Sequence, residues 1–173
     1  FLIGRLLGTN IINLGLENET KEALKDLGFD IETISENEQD AGLGNAGLGR
    51  LAACYLDSMA TLGIPGHGYG IRYDYGIFNQ KIINGYQVEF PDEWLRLGNP
   101  WEFSRPEYTI TIKFGGHTHM SHDANGKLRV DWTDADRVLA MPYDIPVAGY
   151  RNDIVNTLRL WSARSSEDFD LSY

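Results

Sequence analysis

Asp40-Ala41-Gly42-Leu43-Gly44-Asn45-Ala46-Gly47-Leu48-Gly49-Arg50 sets four glycines within eight positions and runs directly into an apolar-striped segment. Glycine lets backbone N–H groups approach a ligand unobstructed and tolerates positive φ. A helix start leaves its first N–H groups unpaired and carries partial positive charge, so the stretch reads as an anion cradle feeding a helix. Phosphate is its natural guest. Leu48, Ala52, Tyr55, Met59 and Leu62 recur at steps of three and four, which predicts a helix of about four turns with that stripe toward a core. Asn45 is the expected N-cap and Gly63 the expected stop.

Gly42, Gly44 and Gly47 also spell G-x-G-x-x-G, the dinucleotide fingerprint, which requires a buried strand immediately before it. Here the preceding Glu32 to Asp40 is acidic and polar, with no apolar run to bury. A nicotinamide or flavin site is therefore disfavoured. The acidic run itself lacks the spacing of a calcium loop and reads as a solvated face.

At 173 residues and 42% hydrophobic content the chain can form one ordinary core or one piece of a larger domain. Twenty-five acidic residues against fifteen basic ones give a formal charge of −10, which disfavours general attraction to nucleic acid or to an anionic membrane. An anion must then be held by a local site. Cys54 is the only cysteine, so an internal disulfide is excluded, and its place in the amphipathic segment predicts a small core residue. No segment approaches the length of a membrane span, and a cytoplasmic location is expected. Phe1-Leu2-Ile3 and Phe169-Asp170-Leu171-Ser172-Tyr173 read as the interior of something longer, so residues 1–173 are taken as one partial domain with large uncovered apolar patches.

Leu6 to Leu27 predicts one or two helices interrupted near Gly15 and closed by Gly28. Gly66 to Tyr73 alternates small and large residues and is expected as a strand near the site. Further strands are expected over 81–88, with Asn84-Gly85 as a tight turn, and over 108–114, 128–132, 138–141 and 157–161. The fold class is α/β or α+β: a helical first third followed by a β-rich excursion.

Two other clusters carry chemistry-bearing residues. His117-Thr118-His119-Met120-Ser121-His122 offers three imidazoles but is most simply a solvated hairpin end, and no metal site is assigned. Asp92-Glu93-Trp94 and Trp101-Glu102 set carboxylates beside aromatics, a pairing that suits sugars and equally serves structure.

In several ordered blocks the chain resembles the α-glucan phosphorylases, the family of the glycogen, starch and maltodextrin enzymes. The blocks are Asp40 to Cys54, Leu56 to Leu62, Gly68 to Tyr73, Gly76 to Gln80, Gly98 to Glu102 and Leu158 to Trp161. The resemblance implies part of the N-terminal lobe of a GT-B type glycosyltransferase with its active site between two lobes. It implies reversible phosphorolysis, in which inorganic phosphate releases glucose 1-phosphate from the non-reducing end of an α-1,4-glucan. Pyridoxal 5'-phosphate would serve as cofactor, and none of Lys21, Lys25, Lys81, Lys113 or Lys127 lies in a segment similar to its attachment site. The isolated chain is expected to be inactive.

Carried over by likeness, the Gly47 N–H would contact the substrate phosphate and the Leu48 N–H the glucosyl unit. Asn45 and Gly44 would shape the turn together with Gly42, Ala46 and Gly49, while Arg50 would brace the loop. No residue is assigned a covalent catalytic role. Ala46 stands where the family usually has glycine, which matters if that backbone needs positive φ. His67 replaces an aromatic that contributes to a nucleotide effector site in the animal enzymes, so nucleotide control is not expected. Arg105 matches an arginine near the subunit boundary, compatible with the family's homodimer. The competing readings are a non-catalytic carbohydrate-binding module, suggested by Trp94, Trp101 and the β-rich second half, and a scaffold homologue, suggested by Ala46.

Overall fold

A computed structural model describes residues 5–166. Phe1-Leu2-Ile3 and Phe169 to Tyr173, read above as chain interior, lie outside the described residues. Four helices come first, α1 (Leu6–Leu14), α2 (Glu17–Asp26), α3 (Ile31–Asn37) and α4 (Gly47–Thr61). Nine strands follow: β1 (His67–Ile71), β2 (Asn79–Ile83), β3 (Tyr86–Phe90), β4 (Phe103–Ser104), β5 (Ile110–Phe114), β6 (His117–His122), β7 (Leu128–Thr133), β8 (Asp136–Ala148) and β9 (Val155–Ser165). The expected mixed fold, helices first and sheet later, is the one observed.

The backbone of the fold is the long antiparallel pair β8–β9, in register from Val138 opposite Ser165 to Ala148 opposite Val155. β1 adds to β9 in parallel, and β4 and β5 pair with the other edge of β8. β2–β3 and β6–β7 stand apart as two-stranded hairpins. At the first hairpin Asn84 and Gly85 both take positive φ, 52° and 82°, as a two-residue primed turn demands.

Along β9 the side chains alternate, and Asn156, Leu158, Leu160 and Ser162 are buried. Leu158 and Leu160 meet Ile145 of β8 and Leu56 of α4 in the central apolar cluster. This corrects the predicted core face of α4. Leu56 and Ala60 are buried, whereas Leu48, Tyr55 and Leu62 are exposed. Cys54 is exposed rather than a core residue.

Gly68 explains the rotation of that face. A Cβ there would meet Leu56 at 2.9 Å and Leu158 at 3.1 Å, so the glycine lets α4 settle on the sheet. The small residue of β1 answers to helix packing, not to a ligand.

The C-terminal end of α4 is tied to the β8–β9 turn. Asn152 donates to the carbonyls of Ala60 and Thr61, the Tyr150 N–H donates to the Thr61 hydroxyl, and a Cβ at Gly149 would collide with the Ala60 carbonyl. Gly63 ends the helix as expected, with φ +71° and the Ile64 N–H reaching the Met59 carbonyl. Anchored at this end, α4 presents its other end outward.

α3 was not anticipated in the acidic run. Asp30 caps it by accepting from the Thr33 N–H at 3.0 Å. The segment before the glycines is thus a short helix and an extended link, without the strand a dinucleotide site needs. The 108–114 prediction begins two residues early, because Pro106–Tyr108 form a 3-10 turn.

Asp144 stands opposite Arg159 in the β8–β9 register and accepts from its Nε and Nη2 at 2.7 and 2.8 Å. Those hydrogen bonds hold the Asp144 carboxyl below the usual aspartate range, with the nearby charges of Arg159 and Arg105 adding to the effect against its partial burial. A lowered folded-state pKa stabilises the fold above the unfolded value near 4 and loses that contribution as pH falls through the folded value. Thermal unfolding across pH 2–7 is expected to show Asp144→Asn less stable at neutral pH but less sensitive to acid below about pH 4.

Candidate functional site

The glycine stretch leaves α3 as an extended link and is fastened at three points before α4 begins. Glu38 accepts from the Leu7 N–H at 3.0 Å and from the Trp101 indole at 2.6 Å. The Gly42 carbonyl accepts from the Ile77 N–H at 3.2 Å. Leu43 packs against the central apolar cluster.

Gly42 and Gly76 flank the Asp92 carboxylate, and a side chain at either would press against it. The same aspartate accepts from the Gly76 N–H through its backbone carbonyl. A cavity of about 300 Å³ lies between this link and the 73–77 loop, lined by Gly42, Leu43, Asn45, Tyr73, Tyr75 and Ile77.

Beyond Leu43 the chain opens to solvent. Asn45 to Leu48 are exposed, Leu48 at 85%, and, apart from its chain neighbours and the adjoining helix backbone, no atom stands within 4 Å of where a Gly47 Cβ would be. The N-cap is Ala46 rather than Asn45, and it provides no side-chain bond to the helix. Arg50 N–H to the Ala46 carbonyl, at 3.3 Å, is the first bond of the ladder. The N–H groups of Gly47, Leu48 and Gly49 precede it.

No acidic residue occupies the first turn, so no carboxylate of the helix itself neutralises its positive end. Fifteen residues of aligned peptide dipoles stand behind that end. Chemically, the helix start can hold an oxyanion by fixed backbone donors that need no reorganisation.

Two details differ from the simplest reading of the glycines. Neither Gly42 nor Gly47 adopts a left-handed φ, so both matter for access rather than for backbone strain. Ala46 has φ −168°, extended backbone that any residue adopts, so its methyl demands nothing special of the chain. Arg50 is exposed and contributes to the lining of a cavity of about 200 Å³ with Asn10, Asn13 and Asp57. That position turns it away from the open donors and toward the α1–α4 junction.

The carboxylate–tryptophan pairs belong to the scaffold. Trp94 is 5% exposed and its indole donates to the Tyr73 carbonyl. Trp101 is bound to Glu38, and Glu102 forms a bidentate pair with Arg72 at 2.6 and 2.9 Å. Trp94 has no open face for sugar stacking, and the Trp101 indole N–H is already engaged by Glu38, so both pairs have structural roles. His117, His119 and His122 lie on the exposed β6 strand, paired with β7.

Glu38 and Asp92 were not singled out as loop supports. Their partners lie 31 to 63 residues away for Glu38 and on two separate glycine turns for Asp92, and no local spacing announces such contacts.

The carbohydrate phosphorylase family model matches residues 24–173. The chain is 60% identical over 173 residues to glycogen phosphorylase of Chlamydia trachomatis, covering all of this chain and 21% of that protein. It is 58% identical over 171 residues to both the human brain and the human muscle forms of glycogen phosphorylase, covering 99% of this chain and 20% of each. The chain thus spans about a fifth of the length of these relatives. It is homologous to the N-terminal part of glycogen phosphorylase, a GT-B glycosyltransferase. With a family match over most of its length and this identity running almost end to end, the chain belongs to the carbohydrate phosphorylase family.

Proposed function

We propose that the protein carrying this chain is an α-1,4-glucan phosphorylase and that the start of α4 is its phosphate-facing loop. The observation that carries the reading is an open helix start: the N–H groups of Gly47, Leu48 and Gly49 precede the first intrahelical bond, and no side-chain cap or acidic first-turn residue competes for them. In this reading inorganic phosphate takes the terminal glucosyl unit of the glucan, giving glucose 1-phosphate with retained configuration. Gly47 directs its N–H at the phosphate and Leu48 directs its N–H at the glucosyl unit, with Asn45 beside them on the exposed turn. As the glycosidic bond breaks, positive charge develops on the sugar ring. A dianion fixed by backbone donors stabilises that charge without reorganisation. Gly42, Gly44, Ala46 and Gly49 give the loop its shape, and Arg50 braces it from behind.

The family's cofactor is pyridoxal 5'-phosphate, and the lysines of this chain do not fit its covalent attachment. Lys21, Lys25, Lys81 and Lys127 are exposed, Lys81 lies over Phe90, and Lys113 donates to the Trp132 carbonyl at the surface. No step is therefore assigned to the cofactor from these residues. A homodimer and a glucan substrate follow from the family likeness, and the net charge of −10 argues against nucleic acid as a partner. No helix among the described residues is long and apolar enough to cross a membrane.

The full-length protein, loaded with pyridoxal 5'-phosphate, is expected to release glucose 1-phosphate from glycogen or maltodextrin when given inorganic phosphate. Hydrolysis to free glucose, or glucan binding without turnover, would overturn the proposal.

A further inference from the structure

α1 begins without a cap of its own: Arg5 holds the N-cap position and makes no side-chain bond to the helix. The missing acceptor comes from 31 residues away. Glu38 receives the Leu7 N–H on both oxygens, at 3.0 and 3.2 Å, and the Trp101 indole N–H on one of them at 2.6 Å. A charged acceptor shared by a helix start and an indole makes short, strong, directional bonds.

Four residues after Glu38 the Gly42 carbonyl takes the Ile77 N–H, and five after it Leu43 enters the apolar cluster. From Leu43 the link runs through exposed Asn45 to Ala46, whose carbonyl takes the first bond of the α4 ladder, so the direction in which the chain reaches α4 depends on how its upstream end is fixed. Behind Trp101 lies a cavity of about 230 Å³, lined by Leu6, Trp94, Leu97 and Ile145. This space lets the indole and the link shift if the bond is lost, so the disturbance travels along the link.

We propose that Glu38 is a positioning residue for the phosphate loop, setting the place of residues 42–48 through its clamp on Leu7 and Trp101. The proposal rests on the loop's phosphate role stated above. Glu38 acts through the loop and does not touch substrate.

The test uses the full-length phosphorylase, with inorganic phosphate and glycogen varied separately. Glu38→Gln keeps the size but turns an amide toward one of two donors, and Trp101→Phe removes the indole N–H while keeping a ring. Each is expected to raise KM for phosphate about tenfold, in line with the strength of hydrogen bonds to charged groups. KM for glycogen should stay within about twofold, and the double variant should be no worse than Glu38→Gln alone, since both break one bond. Unchanged phosphate KM in either soluble variant, equal rises in both KM values, or additive effects would overturn it. Trp101→Phe decides the matter if Glu38→Gln fails to fold. Gly47→Pro in the same assay separates the two ideas: loss there with no effect of Glu38→Gln rejects the clamp alone, and no loss in either rejects the phosphate loop itself.

Discussion

Replacing Gly47 by proline is expected to slow phosphorolysis by the full-length enzyme about a hundredfold, the scale of losing one fixed donor to developing charge. The substitution isolates the donor because the site tolerates the ring. Gly47 is the first residue of α4, where proline is well accommodated and where the N–H has no intrahelical acceptor to lose. Apart from its chain neighbours and the adjoining helix backbone, no atom lies within 4 Å of its Cβ position. Ala46, the preceding residue, with φ −168° and ψ −146°, is outside the α region that a following proline disfavours. Thermal stability should therefore change by less than about 1 kcal/mol. A large rate loss with an unchanged melting temperature supports the donor role. Full activity in a well-folded variant rejects it, and a collapse in stability would contradict the description of the helix start.

Much of this was legible before the structure, and the misses share a physical cause. The glycine loop, the Gly63 stop and the Asn84-Gly85 hairpin follow from backbone rules that act over a few residues. The buried side of α4 does not. Apolar residues surround much of that helix, and the choice of Leu56 and Ala60 over Leu48 and Tyr55 depends on Gly68 opening a place on β1. The length of β8 was also hidden, because Pro142 and Pro146 argue against a paired strand. In the fold both lie in register with β9, opposite Trp161 and Thr157, and neither is opposite a residue of β4 or β5, and the strand runs unbroken to Ala148. Cys54 shows the same limit, since periodicity places it on the helix without saying which side is covered.

At the start of α4 the glycines point to open backbone N–H groups, but not to what holds the link that leads to them. Glu38 belonged to a run that looked uniformly solvated, yet it is the member that caps α1. The tryptophans seemed suited to sugar, yet each indole N–H is committed within the protein. A pattern along the chain can nominate an open helix end; only the packed structure shows which carboxylates support it from a distance.

The second large effect is expected at one such support. Arg72 and Glu102 pair with side chains about 10% exposed, and the guanidinium lies 4.0 Å from the Tyr143 ring centroid and 5.9 Å from that of Trp94. The Glu102 hydrogen bond raises the arginine's already high pKa, and arginine stays charged in any case. Glu102→Ala therefore leaves a largely covered cation among aromatic rings with only the Asp74 charge to offset it, at a cost of up to about 3 kcal/mol. Replacing both partners by methionine removes the stranded charge along with the pair, so the double variant should be more stable than Glu102→Ala. Denaturant titration of the three proteins checks the order. Arg72 follows β1 directly, and its N–H is held by the Trp161 carbonyl. The next residues form the 73–77 loop, whose Ile77 N–H fixes Gly42. Loosening at Arg72 should consequently reach the glycine link and reduce activity along with stability. The double variant should recover stability more fully than phosphate affinity, because methionine restores packing without the bidentate bond that fixes where this loop begins.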